Sequence, residues 1–230
     1  MNAQAILLDL DNTLYNYQTT HAKALDVTLK FLSKKSKRSY KEWKENYSTA
    51  RKSINNNLHG TAASHNRLLY FQRACELMAI SPFKYAEEAN KLYWDTFLKH
   101  MTLYPGINNL LKLIGNKKVC LITDLTADVQ YKKIKKLKLD RYIHCLVTSE
   151  EAGVEKPHPL IFKLALKKLD VSNRSVIMIG DDFKKDILGA SKLKIKSYWL
   201  NLERQSIQYK KSPLIQECRS VNELIRHLSV

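Results

Sequence analysis

The sequence contains few cysteines, and their positions exclude the common structural metal sites. Its 230 residues include four, Cys75, Cys120, Cys145 and Cys218, which lack the paired spacing of a zinc site. Cys120 and Cys145 lie in apolar stretches, where cysteine usually acts as a small core residue. We therefore expect free thiols rather than a framework of disulfides.

Long apolar runs are also missing. No segment approaches the roughly 20 apolar residues that a membrane-spanning helix needs. Asp9 and Asp11 interrupt the amino-terminal stretch in which a secretory signal would require an apolar run. We expect a cytoplasmic protein without a membrane partner.

Hydrophobic residues make up 44% and charged residues 27% of the chain, a balance typical of a globular protein with a substantial core.

Acidic residues are scarce beside basic ones. Lysine and arginine total 39 against 22 aspartate and glutamate, so the formal net charge is +17. Such a charge can attract nucleic acid. One short stretch is crowded with lysines: Lys132, Lys133, Lys135, Lys136 and Lys138. Because Ile134, Leu137 and Leu139 lie among them at helical spacing, we interpret these lysines as the solvated face of an amphipathic helix. Nucleic-acid binding stays possible, but a lysine-rich composition explains the charge equally well.

Helix and strand patterns alternate along most of the chain. An apolar run ending at Asp9 predicts a first strand, and further strands are predicted over 119–122, 145–148, 176–179 and 197–200. Helices are predicted over 107–113, 128–137, 159–169, 185–193 and 221–228. Strands separated by helices of this length indicate parallel βαβ units.

A long helical stretch interrupts this alternation after the first strand. Helical patterns cover 22–32, 40–54, 67–79 and 83–99, separated by polar breaks and by a proline at the last start. The sequence therefore predicts an α/β protein with a Rossmann-like parallel-sheet core, residues 1–16 and 101–230. An all-helical cap domain, residues 17–100, is inserted into it and is expected to lie over the strand ends.

Two carboxylates follow the first predicted strand. Asp9 and Asp11 are two positions apart, so their side chains leave a strand on the same side. They stand at the carboxyl end, where open α/β sheets place their ligand crevice. Their mutual repulsion would be relieved by a divalent cation. Taken alone, Asp11 and Asn12 could equally form a polar turn.

Other predicted strands end in polar groups that could belong to the same site. Thr123 and Asp124 follow the second strand, and Asp181 with Asp186 follows the fourth. Lys156 precedes a predicted helix. Each of these groups could by itself be a helix cap or a solvated surface residue. Together, paired carboxylates, a hydroxyl and an ammonium at strand ends favour a metal-assisted phosphoryl-transfer site.

These residues resemble the motifs of the haloacid dehalogenase superfamily, and the likeness covers the whole chain in the right order. The motifs are carried, in chain order, by Asp9-x-Asp11-x-Thr13, Thr123, Lys156 and Gly180-Asp181 with Asp186. A helical segment between the first and second motifs matches the cap of this family. Two departures are visible: Asp124 stands where many relatives have Asn, and Leu193-Lys194 replaces a common Ala-Gly.

The resemblance implies a role for each motif residue. Asp9 would be the nucleophile that forms an aspartyl-phosphate, and Asp11 the general acid and then the general base. Because a carbon–halogen bond needs no protonated leaving oxygen, Asp11 favours phosphate esters over halides. Thr123 and Lys156 would neutralise phosphate oxygens.

The resemblance also implies a metal and a binding set. Mg²⁺ would be held by Asp9, Asp11 (through its backbone carbonyl), Asp181 and Asp186. Thr13 and Asp124 are expected at the phosphate-binding loops. Among cap residues we select His65 and Arg67 as candidate substrate contacts, since they follow a polar loop.

The substrate class follows from the branch of the family that the chain resembles most. The region after Gly180 is similar to that of pyrimidine 5′-nucleotidases and acylneuraminate 9-phosphatases. We therefore expect a phosphomonoesterase acting on a small phosphorylated metabolite, a nucleoside monophosphate or a sugar phosphate. Two alternatives stay open: a nucleic-acid-binding protein on this scaffold, and a phosphomutase. The sequence does not determine the oligomeric state.

Overall fold

The computed structural model of the protein describes residues 3–229. The chain divides into two compact units. The core unit comprises the residues up to Asn16 together with those from Thr102 onward, and the helical unit is Tyr17–Met101. Within 3–229, no helix is long and apolar enough to cross a membrane.

A six-stranded parallel sheet forms the centre of the core unit, which confirms the predicted α/β class. Its strands, in chain order, are β1 (Ala5–Leu8), β2 (Lys118–Thr123), β3 (Cys145–Thr148), β4 (Val176–Gly180), β5 (Lys196–Leu200) and β6 (Ile215–Cys218). Their order across the sheet is β3-β2-β1-β4-β5-β6, and every neighbouring pair is parallel. Strands β1 and β4 are buried throughout, as central strands covered on both faces should be. Their carboxyl ends therefore meet at one edge of the sheet.

Four helices build the helical unit, with a short 3₁₀ turn at Ala62–His65. They are α1 (Tyr17–Ser36), α2 (Tyr40–Asn57), α3 (Arg67–Leu77) and α4 (Pro82–His100). Helix α2 begins with a capping box: the Ser39 side chain accepts from the Glu42 amide, and the Glu42 carboxylate accepts from the Ser39 amide. Asn66 caps α3 by accepting from the Leu68 amide at 2.9 Å.

Aromatic rings dominate the interior of the helical unit. The large buried rings are Trp43, Tyr47, Tyr70, Phe71, Tyr93, Trp94 and Phe97. Neighbouring rings lie at the tilted and edge-on geometries that aromatic pairs prefer; the Tyr47–Phe71 centroids, for example, are 5.1 Å apart. Such rings bury large areas per residue, so this short helical segment has a substantial core of its own.

In the described part of the core unit, six α-helices accompany the sheet. They are α5 (Ile107–Ile114), α6 (Ala127–Lys136), α7 (Ser149–Ala152), α8 (Pro159–Leu169), α9 (Leu188–Ser191) and α10 (Val221–Ser229). Phe162 and Ala165 of α8 pack with Leu7, Cys120 and Met178 of the strands in one buried cluster. The three central strands are thereby fixed against a helix, and their ends are held in place.

Three features of the core unit differ from the sequence-based expectation. The edge strand β6 was not predicted, because Gln216 and Glu217 interrupt its apolar pattern. The short α7 was missed as well. The prediction of one helix over 185–193 was wrong at its start: Phe183–Ile187 forms a π-helical turn, and α9 follows it. The Asp182 side chain accepts from the Lys184 and Lys185 amides and so starts this turn early.

Candidate active site

Asp9 lies at the carboxyl end of β1 and is held there by the sheet. Its amide donates to the Ile179 carbonyl of β4 at 2.9 Å, which continues the ladder one residue beyond the strand. The side chain is 4% exposed. Thr13 Oγ1 lies 2.8 Å from Asp9 Oδ2, and Lys156 Nζ donates to Asp9 Oδ1 at 2.5 Å. Both carboxylate oxygens are therefore oriented by neighbouring donors.

Three carboxylates gather around this position. One oxygen each from Asp9, Asp181 and Asp186 lies within 4.8 Å of the others. Burial, with the charges of Asp9 and Asp186, raises the pKa of Asp181 to about 9. Burial raises the pKa of Asp186 to about 8, with Lys156 acting in the opposite direction. Burial also raises the pKa of Asp9, although Lys156 opposes the effect. An all-oxygen cluster whose members repel one another fits a hard divalent cation, which would favour the ionised carboxylates.

Thr13 connects two members of the cluster. Its Oγ1 lies 2.8 Å from Asp9 Oδ2 and 2.9 Å from Asp181 Oδ1, and it accepts from the Asp181 amide at 3.1 Å. A hydroxyl has one proton, so it serves one carboxylate at a time. Trp199 Nε1 donates to the Asp181 carbonyl at 2.8 Å and anchors the same loop from β5. Thr13, expected at a phosphate-binding loop, therefore bonds the carboxylates themselves.

Lys156 is a buried cation inserted among the acids. Its Nζ donates to Asp9 Oδ1 at 2.5 Å and to Asp186 Oδ1 at 2.7 Å, and its side chain is 4% exposed. Burial alone would lower the pKa of Lys156, but Asp186, Asp9 and Asp124 hold it well above its usual value. The ammonium is therefore a fixed positive charge beside Asp9.

The Asp11 carboxylate pairs with a second buried lysine, Lys133. Its oxygens accept from Lys133 Nζ at 2.7 and 2.8 Å, and Tyr15 Oη also donates to it. Burial alone would raise the pKa of Asp11, yet Lys133 outweighs it and holds this pKa below its usual value. The interpretation of Lys133 as a solvated lysine was wrong: its side chain is fully buried.

Thr123 and Asp124 end β2 within hydrogen-bonding networks. Gln130 Nε2 donates to Thr123 Oγ1 at 2.7 Å and to the Asp124 carbonyl at 2.8 Å. Asp124 Oδ1 accepts from the Lys156 amide at 3.0 Å, and Oδ2 accepts from Lys185 Nζ at 2.7 Å. The structure thus brings Thr123, Asp124 and Lys156 together and gives the Asp124 carboxylate a basic partner.

His65 and Arg67 belong to the helical unit. Arg67 is 4% exposed, and its guanidinium donates to the His65 carbonyl and to the Tyr17 hydroxyl. Its Nε has no hydrogen-bond partner among residues 3–229. The rings of Tyr70 and Tyr93 lie 5.4 and 5.6 Å from the guanidinium carbon, within cation–π range. Arg67 is therefore a cation embedded in aromatic rings.

Several residues of the site were not selected from the sequence: Tyr15, Gln130, Lys133, Lys185 and Trp199. A usable signal existed for two of them. Gln130, Lys133 and Leu137 are spaced three and four residues apart, which places them on one helix face, and Leu137 marks that face as buried. The other three reach the site through turns and strand register that composition does not reveal.

The haloacid dehalogenase-like hydrolase family matches residues 6–200 of this chain. The ribulose-1,5-bisphosphate 5-phosphatase of Halopiger xanaduensis is 35% identical over 211 residues, which cover 89% of this chain and 87% of the relative. The pyrimidine 5′-nucleotidase YjjG of Escherichia coli is 34% identical over 133 residues, 57% of each chain. The family match includes each of the four motif positions described above.

Solved structures show the same fold at lower identity. The HAD phosphatase from Thermococcus onnurineus has a TM-score of 0.74 at 23% identity, covering 98% of this chain and 97% of that one. The HAD-hydrolase YfnB from Bacillus subtilis, bound to magnesium, has a TM-score of 0.75 at 19% identity and covers all of both chains. At these identities the likeness concerns the fold alone.

Proposed function

The chain belongs to the haloacid dehalogenase-like hydrolase family, and from that premise we propose that it is a Mg²⁺-dependent phosphomonoesterase working through an aspartyl-phosphate. The observation that carries the proposal is the environment of Asp9. This buried carboxylate lies 2.5 Å from a buried ammonium and within 4.8 Å of two further carboxylates. A nucleophile, a positive charge for phosphate oxygens and a cation site are therefore adjacent.

The first half-reaction transfers the phosphoryl group to the protein. An Asp9 oxygen forms a bond to phosphorus while the bond between phosphorus and the ester oxygen breaks. Asp11 gives its proton to that leaving oxygen, so the alcohol departs neutral. Lys156 and the Thr123 hydroxyl stabilise the charge that spreads over the phosphoryl oxygens.

The second half-reaction restores the enzyme. The ionised Asp11 takes a proton from water as the water oxygen bonds to phosphorus, and the bond between phosphorus and Asp9 breaks. Inorganic phosphate and the Asp9 carboxylate result. The proton now on Asp11 is the one given to the leaving oxygen of the next turnover, so the cycle balances. Asp11 also favours phosphate esters, because halide departure needs no proton donor.

The oxygen cluster is the proposed metal site. Asp9, Asp181, Asp186 and the backbone carbonyl of Asp11 would hold Mg²⁺, which, when bound, would neutralise phosphoryl charge. Thr13 and Trp199 keep the Asp181 loop in place for this purpose. Lys156 donates hydrogen bonds to both Asp9 and Asp186 and so orients these two carboxylates, and its positive charge offsets part of their negative charge.

The proposed substrate is a small phosphorylated metabolite, a nucleoside monophosphate or a sugar phosphate. Curated relatives are named for ribulose-1,5-bisphosphate, glyceraldehyde 3-phosphate and pyrimidine 5′-nucleotides. We propose His65 and Arg67 as contacts of the helical unit with the leaving group. The Arg67 Nε, buried and without a partner among residues 3–229, supports this, because an unmet buried donor is costly.

The function is tested by replacing the nucleophile. Asp9→Asn keeps the size of the side chain but removes the attacking charge, so we expect a loss of about 1,000-fold or more in kcat. The measurement is hydrolysis of para-nitrophenyl phosphate with Mg²⁺, alongside thermal unfolding to verify the fold. A folded Asp9→Asn protein that retained even about a tenth of the parent rate would overturn the covalent mechanism.

The metal assignment is tested by chelation. Removing divalent cations should abolish turnover while the protein stays folded, because the buried acids can be protonated in place of binding metal. Adding Mg²⁺ back should restore the rate. Undiminished hydrolysis after exhaustive chelation would contradict the assignment of Asp9, Asp181 and Asp186 as metal ligands.

A further inference from the structure

Helix α6 turns two polar side chains toward the interior of the core unit. Gln130 and Lys133 are one helical turn apart, and both have an exposed fraction of 0%. Burying an ammonium or an amide costs free energy unless hydrogen bonds compensate. The neighbouring Lys132 is different: its side chain is 56% exposed and pairs with Asp128 on the surface.

Lys133 makes contacts that fix one carboxylate. Its Nζ donates to both oxygens of Asp11, at 2.7 and 2.8 Å. Tyr15 Oη donates to the Asp11 Oδ1 as well. A carboxylate that accepts at both oxygens loses its freedom to rotate about the last side-chain bond, so the lone pairs that take up or release a proton during the reaction face one direction.

Gln130 fixes one hydroxyl in the same manner. Its Nε2 donates to Thr123 Oγ1 at 2.7 Å and is anchored by the Asp124 carbonyl at 2.8 Å. A hydroxyl whose oxygen already accepts must direct its own proton elsewhere. Among residues 3–229 the Thr123 hydroxyl donates only to the Asp124 carbonyl, and the two oxygens are 3.4 Å apart. It can therefore donate a hydrogen bond to a phosphoryl oxygen without losing a strong one.

We propose that the buried face of α6 is a positioning element for the reaction, in which Lys133 orients the Asp11 carboxylate and Gln130 orients the Thr123 hydroxyl. This inference rests on the proposed phosphomonoesterase function. Neither side chain needs to touch the substrate, since each acts through a residue that does. One rigid helix thereby aligns the proton carrier with a donor to the phosphoryl group.

A double-mutant cycle tests the Lys133 half. Lys133→Met should lower the single-turnover rate of aspartyl-phosphate formation about 10- to 100-fold, a share of what general acid catalysis supplies. The loss should be larger for phenyl phosphate than for para-nitrophenyl phosphate, whose leaving group needs less protonation. In an Asp11→Asn background the same change should cost less than about twofold, because Lys133 would act only through Asp11.

Controls separate positioning from folding. Lys133→Met alone leaves the partly buried Asp11 carboxylate without its cation and can destabilise the protein, whereas the Asp11→Asn/Lys133→Met protein lacks that charge. Lys132→Met, one residue away on the exposed face, should keep the parent rate. Equal losses from Lys133→Met in the parent and Asp11→Asn backgrounds, or equal losses on both esters, would overturn the Lys133 assignment.

The Gln130 half has a matching experiment. Gln130→Leu should lower kcat about tenfold or more with a smaller change in KM, and should add less than about twofold to the loss caused by Thr123→Val. Additive losses would overturn this half.

If the parent protein hydrolyses esters and Asp9→Asn does not, but Lys133→Met and Gln130→Leu match the parent, only the positioning inference fails. If the parent hydrolyses no phosphate ester, the proposed function and the inference fail together.

Discussion

At the scale of single residues, Gly180 shows how closely the site is packed. It ends β4, and a Cβ added there would collide with the carboxylate of Asp186. Asp186 itself is fully buried and accepts from Lys156 Nζ and from the Asp182 amide. The absence of a side chain at Gly180 therefore provides the space that Asp186 occupies, and backbone freedom is not the reason for glycine here.

Gly180→Ala should consequently disable the acid cluster. We expect kcat to fall about 100-fold or more and the free energy of unfolding to fall by about 1–3 kcal/mol, as for other overpacked sites. Para-nitrophenyl phosphate hydrolysis and urea unfolding measure the two effects. Gly60→Ala is the control for kcat alone: nothing lies within 4 Å of its added Cβ, but the positive φ of Gly60, +79°, would strain an alanine and lower stability by itself. A parent-like kcat in Gly180→Ala would contradict the placement of Asp186.

The Asp124 position illustrates what the sequence could and could not indicate. Its departure from the family pattern was visible in the sequence, but its partner was not. Lys185 lies 61 residues further along the chain and reaches Asp124 Oδ2 at 2.7 Å only because β2 and β4 end at the same edge of the sheet. Strand-end motifs are local in sequence and could be predicted. The charges that balance them are distant in sequence and depend on strand order.

At the scale of elements, α1 contains a buried histidine. The His21 ring stacks on Tyr17, with centroids 5.6 Å apart, and its Nδ1 lies 2.6 Å from Tyr93 Oη of α4. Burial, with smaller contributions from Arg67 and Arg51, lowers the pKa of His21 from 6.5 to about 3. The folded helical unit therefore holds this histidine neutral, while the unfolded chain can protonate it.

Acid should therefore destabilise the protein through His21. Below its unfolded pKa of 6.5 the unfolded state takes up a proton that the folded state does not. The free energy of unfolding should thus fall by up to about 1.4 kcal/mol per pH unit as the pH drops from about 6 toward about 4. Well above pH 6.5, where neither the folded nor the unfolded state binds this proton, His21 contributes no pH dependence.

Urea unfolding at a series of pH values measures this effect. His21→Phe should flatten the slope, since a phenyl ring keeps the stacking on Tyr17 but has no proton to gain. His59→Phe serves as the matched control, because His59 is exposed in the same unit. An unchanged slope in His21→Phe would show that other groups carry the acid sensitivity.

Elements with a clear pattern could be predicted from the sequence. The strand Cys145–Thr148 and the helix Pro159–Leu169 have the predicted bounds, because apolar runs and a helix-starting proline mark them. Strand β6 was missed, since half-buried edge positions accept Gln216 and Glu217 without an apolar signal. The buried Lys133 was misread for the reverse reason: a charged residue is taken as solvated unless its buried partner is known.

At the scale of the whole molecule, the charge distribution is uneven. The chain carries an excess of 17 positive charges, while the site itself gathers the carboxylates Asp9, Asp181 and Asp186. The long-range field therefore attracts anions, whereas at the site these three carboxylates outnumber the Lys156 ammonium and repel anions locally. A divalent cation at the cluster would reverse that local repulsion. Attraction at long range and charge balance at short range are thus separate contributions to substrate capture.

Salt should distinguish these contributions. Exposed charges are screened over about 10 Å at 0.1 M salt and over about 3 Å at 1 M, whereas buried pairs are affected much less. Raising NaCl from about 0.02 M to about 0.5 M should lower kcat/KM for a doubly charged phosphate ester by about three- to tenfold and leave kcat nearly unchanged. Steady-state kinetics at fixed Mg²⁺ measure both constants. A salt-independent kcat/KM would mean that the excess charge does not steer the substrate.

Retention of the protein on duplex DNA at about 0.15 M salt, with inhibition of ester hydrolysis, would instead assign the charge to a nucleic-acid partner. Binding to the phosphate backbone of DNA is also salt-sensitive, so the DNA measurement separates this alternative from steering of a small substrate.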